Sequence, residues 1–253
     1  MAVSFSSKGA IGEIVLHNPP ANSYDIEFMR ELGSAIGATN EDGARVVVVR
    51  SASEKFFSAG ADLKRFLAND VGANMEMVRL AHEALASIAR SSKLFVAYIA
   101  GHALGGGLEI ALACDMRYAA EGSYRLGTPE VTLGLLPGNG GTQRLPRLIG
   151  TGPALELLLT GRQITPDEAQ RLGLVSRLFA TEDEFRSHVE KLATLPPLAV
   201  SEIKRAVYEG VQKPLEAGLQ LERELIEKLF RSQDAAEGLN AFVEKRTPEF
   251  VGA

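Results

Sequence analysis

Two glutamates stand where charge is out of place. Glu109 lies within Leu108-Glu109-Ile110-Ala111-Leu112, and Glu130 follows Gly127-Thr128-Pro129 and precedes Val131. A carboxyl group in such surroundings is pushed toward its protonated form unless a partner compensates. Groups of this kind suit general acid–base work. A glutamate held by a core arginine is the structural reading of the same pattern. Ahead of Glu109 runs Gly101-His102-Ala103-Leu104-Gly105-Gly106-Gly107-Leu108, glycines leading from an apolar strand into a helical pattern. Free N–H groups at the positive end of a helix dipole favour an oxygen that becomes negative during reaction. Phosphate is the rival ligand, but neither a P-loop lysine nor G-x-G-x-x-G spacing is present.

Two further stretches could bring backbone close to a ligand. Phe56-Phe57-Ser58-Ala59-Gly60-Ala61-Asp62-Leu63-Lys64 is a turn of small residues after an apolar strand. Pro137-Gly138-Asn139-Gly140-Gly141 is a loop able to take unusual backbone angles before the next helix. Each also reads as a tight structural turn. His17, His82, His102 and His188 form no His-x-x-x-His pair, so a helix-borne metal site is not expected. No Gly-x-Ser-x-Gly elbow is present, which argues against a serine hydrolase.

Taken together and in this order, the segments 57–64, 101–109 and 127–145 resemble the crotonase (enoyl-CoA hydratase/isomerase) superfamily, closest to enoyl-CoA hydratase. The tail Ala241-Phe242-Val243-Glu244-Lys245-Arg246-Thr247-Pro248-Glu249-Phe250 fits as well, so the likeness runs from about residue 10 to the end. It implies an α/β fold, a spiral of β-β-α turns over residues 1–195, followed by a C-terminal helical oligomerisation region over 196–253. A homotrimer or homohexamer is the implied assembly. The implied reaction is reversible addition of water to a trans-2-enoyl-CoA, with an isomerase or another acyl-CoA lyase of the superfamily as the alternative. By the same likeness the N–H groups of Ala61 and Gly106 form an oxyanion hole, and Glu109 and Glu130 supply acid and base. Ala59, Gly60, Asp62, Leu63 and Lys64 line the CoA channel, Gly138 lies near Glu130, where its N–H holds the water or the carboxylate, and Lys64 and Lys245 meet CoA phosphates. No cofactor is implied, because coenzyme A is part of the substrate. Two departures stand out. Asn18-Pro19-Pro20-Ala21-Asn22-Ser23 shortens the usual entry segment, and Tyr124-Arg125-Leu126 replaces a phenylalanine-containing strand that bears on the acyl pocket.

The elements that must carry these residues are legible in part. Ile11–His17 reads as a strand, and Val46–Val49 and Leu94–Ala100 as strands buried on both faces. Asp25 predicts the start of a helix over 26–38 with Phe28, Leu32 and Ile36 on one face. A helix over 74–89, bearing Met77, Leu80, Ala84 and Ile88, joins the two buried strands and makes them parallel. Beyond residue 150 helices dominate: 151–160, 166–172, 182–195, 197–209 and one long helix over 214–243. Its stripe Leu215, Leu219, Leu225, Ile226 and Leu229 needs a partner surface.

Bulk composition narrows the function classes. The chain has 253 residues, 45% hydrophobic and 23% charged, enough for a normal core. A net charge of −5 and the lack of a lysine-rich helix argue against nucleic acid, including an RNA-binding homologue, and against an anionic membrane. A polyanionic ligand then needs local cations. Cys114 is the lone cysteine and sits in an apolar run, so it reads as a buried small hydrophobe. Neither a signal-like start nor a membrane-length apolar run is seen, so a cytoplasmic protein is expected.

Overall fold

The computed structural model describes residues 1–67 and 70–253. The elements follow in order as β1 (Val3–Lys8), β2 (Ile11–Leu16), α1 (Ile26–Ala38), β3 (Val46–Ser51), β4 (Phe56–Ser58), α2 (Leu63–Leu67) and α3 (Val71–Arg90). Next come β5 (Leu94–Ile99), β6 (His102–Leu104), α4 (Gly106–Ala113), β7 (Met116–Ala120), β8 (Leu126–Gly127), α5 (Gly141–Ile149), α6 (Thr151–Thr160) and α7 (Pro166–Arg171). The chain ends with β9 (Arg177–Phe179), α8 (Glu182–Ala193), α9 (Pro197–Gly210), α10 (Leu215–Phe230) and α11 (Gln233–Glu244).

Two sheets share the strands between them. The larger runs β1-β2-β3-β5-β7-β9, antiparallel at its first pair and parallel thereafter. The smaller is β4-β6-β8, all parallel. Each chain segment β3-β4, β5-β6 and β7-β8 therefore gives one strand to each sheet. The valine run of β3 is explained by burial on both sides: Val47 and Val49 join the core under α1 and α3, while Val46 and Val48 face the cluster with Phe185 and Val189 of α8. In β5, Phe95, Ala97 and Ile99 take the first side and Leu94, Val96 and Tyr98 the second.

Helix α1 starts at the expected residue because Asp25 accepts a hydrogen bond from Phe28 N at 3.0 Å. Helix α3 starts earlier than expected, at Val71, because Asp70 caps it through Ala73 N. The long helix expected over 214–243 is two. Ser232 accepts a hydrogen bond from Ala235 N at 3.1 Å and begins α11, so the chain turns at Arg231-Ser232 without glycine or proline. Cys114 is buried as expected, and burial pushes its thiol up to about 12. Tyr124 belongs to the core, where its hydroxyl lies between the carbonyls of Ile99 and Ala120. No described helix is long and apolar enough to cross a membrane.

Helix α9 is tied to the core by charge. Lys204 Nζ meets Asp115 Oδ2 at 2.7 Å, both side chains being buried, and Tyr208 donates to Asp115 Oδ1 at 3.0 Å. Lys204 also donates to the Ile88 carbonyl, and Phe95 N donates to Asp115. Losing one partner strands the other in low dielectric. Lys204→Met is therefore expected to cost about 3 kcal/mol of stability, read from the denaturant midpoint at constant m-value.

Candidate active site

The site is assembled where strand ends of the small sheet meet the start of α4. After β6, Gly105 takes φ +54° and turns the chain into α4, its carbonyl accepting from Leu108 N and Glu109 N. Gly106 and Gly107 then open the helix. On the facing segment, Tyr24 pairs with Ala61 as in a parallel sheet: Tyr24 N donates to Gly60 O and Asp62 N to Tyr24 O, each at 2.9 Å. Because alternate residues of an extended strand turn their N–H groups to opposite sides, the N–H of Ala61 faces away from Tyr24. Gly60, at φ +91°, packs directly on this helix start. A Cβ there would lie 2.9 Å from Leu104 O and 3.4 Å from Gly106 N. Among the described residues, neither Ala61 N nor Gly106 N donates to any group.

Glu109 sits on the first turn of α4 and is almost fully buried. Its Oε1 accepts from Asn139 N at 2.8 Å and from Gly141 N at 2.6 Å. Burial holds its carboxyl above the usual range, opposed by those amides and by the nearby Arg144 guanidinium. Arg144 makes no ion pair with it among the described residues, donating instead to the Asn139 carbonyl at 2.8 Å. The amides on Glu109 thus come from residues 139 and 141. Gly138 presents its carbonyl to His82 Nε2 at 2.7 Å.

Glu130 comes from a 3-10 turn over Pro129–Leu133 that has no counterpart in the sequence reading. Its Oε1 lies against Gly105, where a Cβ would approach to 2.9 Å, and its buried Oε2 has no hydrogen-bond partner among the described residues. Burial, with Glu109 adding its charge, raises its carboxyl to about 7. The hydroxyl of Tyr24 lies against the start of α4, where a Cβ at Gly106 would come within 1.9 Å of it. It accepts from Asn139 Nδ2 at 2.7 Å and feels the charge of both glutamates. The structure therefore brings Ala61, Gly106, Glu109 and Glu130 to one place from three segments of the chain, Gly106 and Glu109 sharing the first turn of α4.

The whole chain can now be set beside known proteins. Residues 6–253 match the family model described as Enoyl-CoA hydratase/isomerase. The chain belongs to that family. A "Probable enoyl-CoA hydratase" of Rhizobium meliloti is 40% identical, covering 96% of this chain and 95% of the relative. The 2,3-dehydroadipyl-CoA hydratase of Escherichia coli is 37% identical, with 94% of each chain covered. An enoyl-CoA hydratase crystal structure from Geobacillus kaustophilus superposes with a TM-score of 0.96 at 44% identity, covering 100% of this chain and 97% of that one.

The remaining residues expected from the family likeness fall in distinct places. Ala59 is fixed by its N–H to Ala21 O, and Asp62 spends its carboxylate on capping α2 through Lys64 N at 3.0 Å. Leu63 and Lys64 are exposed at the start of that helix. Lys245 caps α11 at φ +56°, with its backbone N–H on Phe242 O. Three residues escaped the sequence reading as site builders. Asn22 is buried, and its Nδ2 reaches Leu16 O, Ser51 Oγ and Phe57 O, so it fixes the strand ends behind Ala59. Tyr24 and Asn139 are the other two.

Proposed function

We propose that this protein is an enoyl-CoA hydratase, adding water reversibly to a trans-2-enoyl-CoA to give a 3-hydroxyacyl-CoA. One observation carries this reading: two carboxyl groups of different character flank a pair of unpaired backbone donors. A thioester oxygen between Ala61 N and Gly106 N would receive both hydrogen bonds. As the β-carbon is attacked, negative charge moves to that oxygen, and each fixed donor is worth about 3–4 kcal/mol in the transition state. Glu109, held ready by two amides, suits the base that takes a proton from water as the new C–O bond forms. Glu130, with a raised carboxyl and a free buried oxygen, suits the acid that gives its proton to the α-carbon. The charge delocalised as enolate returns to carbon with that proton, and no redox partner is required.

A pH dependence follows from the assignment. The hydration rate needs Glu130 protonated, so it declines as pH rises through about 7, and dehydration, which needs that one proton on Glu109 instead, declines with it. Glu109 titrates in the same field, so the profile belongs to the pair. In Glu130→Gln the alkaline limb is lost; a limb unchanged in that variant would assign the titration elsewhere.

The CoA channel is assigned to Ala59 through Lys64 with Gly138 near the acids, and Lys64 and Lys245 to the CoA phosphates. We also assign residues 1–195 to a spiral β-β-α core and 196–253 to a region that assembles copies of the chain. The sharing of strands between two sheets supports the first. The exposed Leu215, Phe242 and Val243, and an apolar cavity of about 320 Å³ lined by the exposed Ile226, Phe230 and Leu239 with Pro196, Leu198 and Leu229, support the second.

The test is a turnover panel of short, medium, long, branched and ω-carboxylated 2-enoyl-CoA esters, followed by loss of the enoyl absorbance. An enzyme that moves the double bond of a 3-enoyl-CoA yet never removes crotonyl-CoA absorbance is an isomerase, and the hydratase reading is then wrong.

A further inference from the structure

The mechanism above leaves Tyr24 unused, although its side chain reaches the centre of the site. Tyr24 is 4% exposed and falls in none of the sequence segments that carry the chemistry. Its hydroxyl accepts from Asn139 Nδ2 at 2.7 Å, and Asn139 is itself buried. The backbone N–H of Asn139 is one of the donors on Glu109. One residue thus holds the carboxylate with its main chain and the phenol with its side chain, while Arg144 anchors its carbonyl. On the other side the phenol presses on α4: a Cβ at Gly106 would lie 1.9 Å from Tyr24 Oη. The hydroxyl is fixed between the helix start at Gly106 and Asn139, the residue whose N–H holds Glu109.

A phenol has one proton to give and two lone pairs. Asn139 uses a lone pair. The proton finds no acceptor among the described residues, and buried polar groups are rarely left so. Burial foremost, and then the charges of Glu109 and Glu130, push the ionisation of Tyr24 up, so it remains protonated well above neutral pH. It is a fixed donor beside two proton-transfer groups.

We propose that Tyr24 and Asn139 form a positioning pair for the reacting water. Asn139 ties the phenol to the loop that holds Glu109, and Tyr24 donates its hydrogen bond to the water oxygen that bonds to the β-carbon. This rests on the hydratase reading. No proton leaves the phenol. The bond orients the water during addition, and in the reverse direction it stabilises the departing hydroxyl oxygen.

Tyr24→Phe keeps the ring and removes only the hydroxyl; Asn139→Ala removes its partner. With an active 2-enoyl-CoA ester, each is expected to lower kcat about tenfold with KM within about twofold. The double variant should be scarcely worse than either single one, because the two act as a unit. A second readout needs no turnover: infrared titration of the Glu109 carboxyl, its band assigned by Glu109→Gln. Glu109 is faced by Arg144 on α5, the amides of Asn139 and Gly141, Tyr24 and Glu130. Loosening the clamp in Tyr24→Phe should raise its midpoint by about half a unit or more.

A native enzyme that hydrates the ester, with Tyr24→Phe unchanged in kcat, pH profile and titration, overturns the pair and leaves the hydratase reading intact. So does a variant that only melts earlier. Effects that multiply in the double variant also overturn it. Conversely, if no ester of the panel is hydrated but the Glu109 titration still moves in Tyr24→Phe, the hydratase reading fails and the clamp stands.

Discussion

Replacing Glu109 or Glu130 with glutamine is expected to lower turnover of a 2-enoyl-CoA ester by at least about 10² in each case, with ester binding nearly intact. The substitution preserves volume, so the packing of α4 and of the 129–133 turn is kept. In Glu109→Gln the side-chain carbonyl can still accept from Asn139 N and Gly141 N, which hold Glu109 Oε1 at 2.8 and 2.6 Å. What is lost is the base. In Glu130→Gln the amide takes the place beside Gly105, but it has no proton to give to carbon. Binding is read from inhibition by a 3-hydroxyacyl-CoA, and the chemical step from single-turnover absorbance. The two losses should combine far less than multiplicatively, since water activation and α-protonation belong to one transition state. Full activity in either variant removes that glutamate from the chemistry.

How far the sequence anticipated this site depends on the range over which its parts interact. The start of α1 was legible because Asp25 and Phe28 are neighbours, and the face of Phe28, Leu32 and Ile36 because helical spacing repeats locally. The valine run of β3 announced burial on both sides for the same reason. Strands β4, β6 and β8 were not legible, since two or three residues carry no alternation and their pairing is between distant turns. The break at Arg231-Ser232 was hidden because a serine cap inside a polar stretch looks like an ordinary helix surface. The apolar setting of Glu109 foretold the direction of its titration, but not the amides that oppose it. Tyr24 and Asn139 lie 115 residues apart, so no local pattern links them. The signal that could have flagged them is a polar aromatic ring and an amide placed where burial leaves each in need of a partner.

The other large effect is expected from a single methyl group. In Gly106→Ala the new Cβ would lie 1.9 Å from Tyr24 Oη and 2.6 Å from two atoms of the ring. The phenol cannot step aside freely. Asn139 holds its hydroxyl, and its backbone is locked to Gly60 O and Asp62 N on either side of Ala61. The start of α4 must therefore shift, carrying Gly106 N away from Ala61 N and spoiling the geometry on which oxyanion stabilisation depends. Loss of one such donor costs about 10²–10³ in kcat, and the overpacking adds about 1–3 kcal/mol of instability. Substitutions at Tyr24 separate the two costs. Tyr24→Phe in the Gly106→Ala background removes the oxygen but leaves the ring carbons in place, so stability should recover only in part; Tyr24→Ala clears the space and should recover more. A control comes from Gly37 on α1, where a Cβ meets nothing within 4 Å. Gly37→Ala should raise stability by up to about 1 kcal/mol, read from the denaturant midpoint, with unchanged turnover. If Gly106→Ala behaved like Gly37→Ala, the close approach of Tyr24 to the helix start would be wrong, and with it the reason this turn must be glycine.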